Sequence, residues 1–146
     1  MGARQNTRDE AIEWACAIPG IPRTKGNHTK RVRRGNRVFS VQSDASAAAE
    51  QVVALWAAAH PPPRLLTGPL EVNVGFIFPL PKRNPEAHKD GDWCLRRVDR
   101  GNLLKLLEDA IQGIVYADDA QVVTGTVSKV WGVEPWTLVV VRELRR

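Results

Sequence analysis

Five residues between Val98 and Val122 have types and spacings suited to phosphoryl chemistry: Asp99, Lys105, Asp109 and the adjacent Asp118 and Asp119. Asp99 precedes a stretch with helical periodicity. Lys105 and Asp109 lie one turn apart on its polar face, and Asp118-Asp119 return in the turn after it. Hydrolysis of a phosphodiester needs an activated water and relief of charge on the phosphoryl oxygens. Carboxylates gather Mg²⁺, which takes oxygen ligands and usually keeps several waters. The ion can orient and acidify one water and stabilise the departing oxygen. A nearby lysine stabilises charge that develops in the transition state. Such chemistry needs no Ser, Cys or His nucleophile. The same residues also admit a plainer reading, as a helix cap, an i,i+4 pair on a wet face and an acidic turn. A helix over residues 102–112 is about 16 Å long. Asp119 therefore approaches Asp99 only if the 118–119 turn folds back beside a neighbouring strand.

The elements that must position these residues follow from periodicity. Residues 11–18 read as a strand ending at Pro19-Gly20. The polar segment after it, with residues 22–37 as a basic loop, reads as a loop or irregular hairpin, and residues 37–42 alternate as a strand. Ser43-Asp44 supply helix-start chemistry for an Ala-rich helix over 45–59. Val52, Val53, Leu55 and Trp56 form its expected buried face, and Pro61 to Pro63 end it. Residues 69–79 alternate, with Val72, Val74, Phe76 and Phe78 on one face. Residues 80–98 read as a charged loop. The second helix, 102–112, has Asn102 as expected N-cap and Gly113 as the residue just past its end. Leu103, Leu107, Ala110 and Ile111 form its apolar face, and Lys105, Glu108, Asp109 and Gln112 its polar one. Residues 121–131 and 136–143 read as strands. The order implies one domain over 1–146 of α/β (α+β) class, with two main helices against a mixed sheet.

Composition bounds the partners. A chain of 146 residues with 43% hydrophobic and 25% charged residues suits one modest core. The net charge of +5 and a pI near 9.7 favour a polyanionic partner. Arg23, Lys25, Lys30, Arg31, Arg33, Arg34 and Arg37 fall in one stretch without an acid, suited to tracking phosphates, with Asn27 and His28 as added donors. The plainer reading is a solvated loop. Cys16 and Cys94 form no disulfide framework, and His28, His60 and His88 are scattered, which argues against zinc. No apolar run is long enough for a bilayer, and the N-terminus has neither a signal-peptide core nor a good myristoylation pattern. A cytoplasmic protein with no membrane contact and no small-molecule cofactor is the expectation. Trp14, Trp56 and Trp136 are expected in the core; Trp93, just before Asp99, is the candidate for contact with bases or a partner subunit, burial being the alternative.

The segment 98–122 resembles the signature of RusA-type Holliday-junction resolvases: D-x-D-N-L-x-K, then D-A-L, then a turn ending in D-D-x-x-V. Asp99, Asn102, Leu103, Lys105, Asp109-Ala110-Ile111 and Asp118-Asp119 fall in step with it, and PGIPRTKGN resembles the family's opening strand and loop. The resemblance implies a homodimeric, Mg²⁺-dependent endodeoxyribonuclease, with Mn²⁺ as a possible substitute, that nicks two strands of a four-way junction symmetrically. It implies metal ligation by Asp99 and Asp119 with Asp118 adjacent, and catalytic roles for Asp99, Lys105 and Asp119. It also brings an expectation of phage origin. One position departs: Gly101 stands where the family has its second aspartate. Ligation could then shift to Asp118, Asp109, Asp90 or Asp92, or activity could be lost. Two other readings follow, a junction-binding protein without catalysis and a general basic nucleic-acid-binding module.

Overall fold

The computed structural model describes residues 12–24, 29–42, 44–83 and 86–145. Strand β1 is Glu13–Pro19, β2 Thr29–Arg34, β3 Arg37–Gln42 and β4 Leu70–Pro79; β5 is Val122–Gly132 and β6 Trp136–Glu143. Helix α1 is Asp44–Ala59 and α2 Arg100–Ile111, and a short 3₁₀ turn spans Asp119–Gln121. Four strands form one mixed sheet in the order β1-β6-β4-β5, and β2 and β3 form a separate hairpin. The α+β layer expected from the sequence is the one observed, with two helices against a mixed sheet.

Strand β4 is the sheet's interior rail. Its buried residues alternate strictly, Leu70, Val72, Val74, Phe76 and Phe78, while the residues between them are half-buried. That is the pattern of a strand with one face on the core and the other partly covered. It pairs antiparallel with β6 and parallel with β5. A parallel pair needs a long crossover, and α2 supplies it. The helix buries its expected apolar face, Leu103, Leu107, Ala110 and Ile111, and Leu106 beside it. Helix α1 packs against α2 and reaches β1. The other face of the sheet carries polar contacts: Arg142 reaches Glu13 at 3.0 Å and Glu71 at 3.6 Å, and Asn73 Oδ1 accepts from the Thr126 hydroxyl at 2.9 Å.

Four expectations need correction. The basic segment, read as a loop or irregular hairpin, holds a regular one: Arg34 pairs with Arg37 across Gly35-Asn36, and Gly35 takes φ 60°, as a two-residue turn requires. Helix α2 begins at Arg100, and its N-cap is Asp99 rather than Asn102, because the Asp99 carboxylate captures two orphan amides of the first turn. Helix α1 buries Ser46 and Ala57; of its four expected core residues Val53 is half-buried against the core, while Val52, Leu55 and Trp56 are exposed, at 47%, 63% and 39%. Small residues let it lie close to its neighbours, so the bulky stripe turns outward. Of the tryptophans expected in the core, Trp14 is buried, Trp136 half-buried and Trp56 exposed, while Trp131, not among them, is buried.

Gly125 lets β5 approach β4. It has φ 150°, and a Cβ there would run into the Val72 carbonyl oxygen and lie 2.7 Å from the carbonyl carbon. Gly125→Ala should destabilise the fold by about 2–4 kcal/mol. A thermal melt checks this, and a fall in Tm of roughly 5–15 °C is expected.

Candidate active site

Asp99 is an exposed carboxylate fixed at the start of α2. Its Oδ1 accepts the backbone N–H groups of Gly101 at 2.7 Å and Asn102 at 3.1 Å. The chain leading into it is tied to β5. Lys129 Nζ donates to the carbonyls of Arg96 at 2.9 Å and Val98 at 2.8 Å, and the Arg100 guanidinium donates to the Val127 carbonyl at 3.3 Å. The Cys94 amide donates to the Lys129 carbonyl at 3.0 Å, which closes the edge of the sheet. Lys129 and Arg100 were not legible in the sequence as site residues. Their weak signal was a long cation standing in a strand of β-branched residues and another in the first turn of a helix. Arg96, Arg97, Arg100 and Lys105 are all exposed around Asp99 and the first two turns of α2.

The second acidic group lies past the other end of α2. Asp118 caps the 3₁₀ turn: its Oδ1 accepts from the Ala120 amide at 2.9 Å, and Gln121 Oε1 accepts from the Asp118 amide at 2.8 Å. Gln121 Nε2 in turn donates to the carbonyls of Leu66 and Gly68, which fixes this turn beside the start of β4. Asp119 is exposed, and its charge is felt by Glu108 and Tyr116. Burial pushes the Glu108 carboxyl up from its ordinary value, and the charges of Asp119 and Asp109 push it further. Burial, then the charges of Glu108, Asp119 and Asp109, raise the Tyr116 phenol, which stays neutral and donates to the Glu108 carbonyl at 2.9 Å. Gly113, with φ 84°, ends α2 and turns the chain back, as its place in the sequence implied.

The structure thus keeps Asp99 apart from the Asp118-Asp119 pair. Residue 108 lies about 14 Å along the helix axis from residue 99. Among the described residues, no three His, Cys, Asp or Glu side chains converge as a metal ligand set, and this covers Asp90, Asp92 and Asp109 as well. Mg²⁺ can be held by one or two carboxylates together with waters and substrate phosphates, so a cation beside Asp99 would take few protein ligands from one chain. An apolar cavity of about 470 Å³ opens between α1, α2 and the end of β1, lined by Ile18, Ile21, Val53, Phe76 and Leu106 among others. Its lining includes no acid and none of Asp99, Lys105, Asp118 or Asp119.

Of the seven basic candidates, Arg23, Arg33, Arg34 and Arg37 are exposed. Arg33 Nε donates to the Gly35 carbonyl at 3.2 Å, inside the turn. Lys25, Asn27 and His28 lie outside the described residues, as do the side chains of Lys30 and Arg31. Trp93 is 73% exposed, so of its two readings burial does not hold. No helix among the described residues is long and apolar enough to cross a membrane.

Comparison with known proteins agrees with the signature in the sequence. The family model Endodeoxyribonuclease RusA matches residues 19–142. An uncharacterized protein of Bacillus subtilis (strain 168), YqaN, is 31% identical over 134 residues, covering 87% of this chain and 94% of its own length.

The crowding of Glu108 has a measurable consequence. Because its folded-state pKa is raised, protonation stabilises the fold; that contribution is complete below the unfolded-state value and is lost as pH rises through the folded-state value. At neutral pH the ionised carboxylate is a net cost. Glu108→Gln should therefore raise Tm at pH 7 by a few degrees at most, with the gain fading as pH falls through the raised folded-state value and gone below the ordinary carboxylate range. Melts across that range check the sign.

Proposed function

The chain belongs to the RusA family of endodeoxyribonucleases, and from that premise we propose that it binds four-way DNA junctions as a two-fold dimer and nicks them weakly, with a divalent cation as cofactor. The observation that carries this reading is Asp99: an exposed carboxylate pinned at a helix start among exposed Arg96, Arg97 and Arg100. The cations draw a phosphate to the one place where the carboxylate is rigidly held, and rigidity is what makes a charged group effective toward a transition state. The basic hairpin tip, with Arg33, Arg34 and Arg37, adds contacts that position DNA without reading its sequence. Two related nicks require two related sites, and the exposed stripe Val52, Leu55 and Trp56 on α1 supports association with a second copy.

The resemblance assigns Lys105 to the phosphate, and Asp99, Asp119 and Asp118 to Mg²⁺, with Mn²⁺ as substitute. When bound, that ion supplies water activation and neutralisation of the phosphoryl oxygens. Weak cleavage follows from Gly101, which offers no carboxylate beside Asp99, and from the separation of Asp99 from Asp118 and Asp119. The same observation favours a second reading, a junction-binding protein that has lost catalysis. A gel assay with a synthetic junction and a matched duplex, titrated with Mg²⁺ and Mn²⁺, tests the two. Junction-selective nicking that needs high metal supports the first. Binding without nicking at any metal concentration supports the second.

Gly101→Asp sharpens that test. Gly101 is exposed, has no positive φ, and an added Cβ would meet only the Asp99 Oδ1 at 3.1 Å. The substitution removes a helical glycine and puts an acid at the positive end of α2, which offsets repulsion from Asp99. The variant should stay folded, nick faster and reach half its maximal rate at lower Mg²⁺, and Asp99→Asn should abolish that gain. A folded variant with no faster nicking at any Mg²⁺ would count against the site. Replacing Arg33, Arg34 and Arg37 with Gln should weaken binding to every DNA alike. The slope of log affinity against log salt should become shallower by up to about 0.9 per lost contact; an unchanged slope would turn the hairpin away from DNA.

A further inference from the structure

Among the described residues, Leu95 and Trp93 are two of the most exposed large apolar side chains, at 87% and 73%, and they flank the buried Cys94, at 3%. The alternation is that of a strand, and the backbone is held as one. Trp93 forms an antiparallel bridge with Val130, and the Cys94 amide donates to the Lys129 carbonyl. The Trp131 amide donates to the Asp92 carbonyl at 2.8 Å, and the Gly91 amide to the Trp131 carbonyl at 2.8 Å. His88 stacks on the Trp131 ring with centroids 5.1 Å apart, and Lys129 ties down the carbonyls that follow. The two prongs therefore stand on a rigid platform, with Cys94 as its anchor in the core. Apolar side chains displayed together on a fixed backbone mark a contact surface.

We propose that Trp93 and Leu95 form a wedge that seats on unstacked bases at the branch point of a DNA junction; this rests on the reading of the chain as a junction-binding protein. Charge and chemistry select that occupant. Between Leu95 and the first turn of α2 the exposed charges are Arg96, Arg97 and Arg100 against Asp99, a cationic rim suited to a phosphate backbone. Inside a duplex each base face is already covered by its neighbours, so an aromatic ring gains nothing there unless it unstacks a step. At the exchange point of a four-way junction the stack is already interrupted, and a ring there replaces a lost neighbour. The wedge lies a few residues before Asp99 on the same tethered segment, so a branch point seated on it brings flanking phosphates to α2. It thereby supplies selection by structure, which the basic hairpin cannot.

The test compares wild type, Trp93→Ser with Leu95→Ser, and Trp93→Phe, with EDTA present so that binding is read without cleavage. The probes are an immobile four-way junction with 2-aminopurine at the exchange point and a linear duplex of equal length. Both positions are exposed, so the variants should fold with wild-type Tm. The double variant should lose about tenfold or more in junction affinity, keep its duplex affinity, and lose the change in 2-aminopurine fluorescence; Trp93→Phe should keep most of it. A junction preference retained by the double variant would overturn the wedge alone. A wild type without junction preference would overturn both the wedge and the reading beneath it. A double variant that sediments as a smaller species than wild type would assign the surface to a second copy of this chain and overturn the wedge.

Discussion

The parallel pairing of β4 with β5 is the constraint from which the rest of the structure follows. Two parallel neighbours cannot be joined by a tight turn, so the chain must travel back from the end of β4 to the start of β5. Helix α2 makes most of that return. Its entry therefore lies beside the late residues of β5, where Val127 and Lys129 hold it, and its exit lies beside Leu66 and Gly68, at the start of β4. Gly125 lets the two strands close to pairing distance, because any side chain there would meet the Val72 backbone.

The arrangement of charge is a consequence of that path. Asp99 enters the helix and Asp118-Asp119 leave it, so the acids fall at opposite ends of one crossover. Each is fixed by the same local chemistry, a carboxylate satisfying orphan amides at the start of a helical turn. The plain reading of these residues as caps and the functional reading do not compete for Asp99. Capping uses Oδ1 and leaves the residue exposed and oriented. Asp118 is more deeply committed to its turn, through reciprocal bonds with Gln121.

Exposed groups gather on the return path as well. The segment before α2 is stitched to the edge of β5 by backbone bonds and by Lys129, which lets it display Trp93, Leu95 and two arginines without losing order. Protecting an edge strand with an irregular segment is a common way to keep a sheet from pairing with strangers. Here the cover also carries the residues closest to the candidate chemistry.

The sequence by itself determined the period-2 strand β4, the buried face of α2, the stop at Gly113 and the family signature, because each depends on neighbours along the chain. The buried sets Val72, Val74, Phe76, Phe78 and Leu103, Leu107, Ala110, Ile111 were legible for that reason. Tertiary structure decided the rest. The bulky stripe of α1 looked like a core face, but close packing favoured Ser46 and Ala57 and turned Val52, Leu55 and Trp56 outward. The regular β2–β3 pairing was hidden because β2, so rich in like charge, lacks the apolar alternation that β3 shows. The separation of Asp99 from Asp119 depended on which strand α2 returns to, and the tether at Lys129 on a contact across 31 residues of chain. Periodicity reports which way a residue faces within its own element; only the packing of elements decides what it faces.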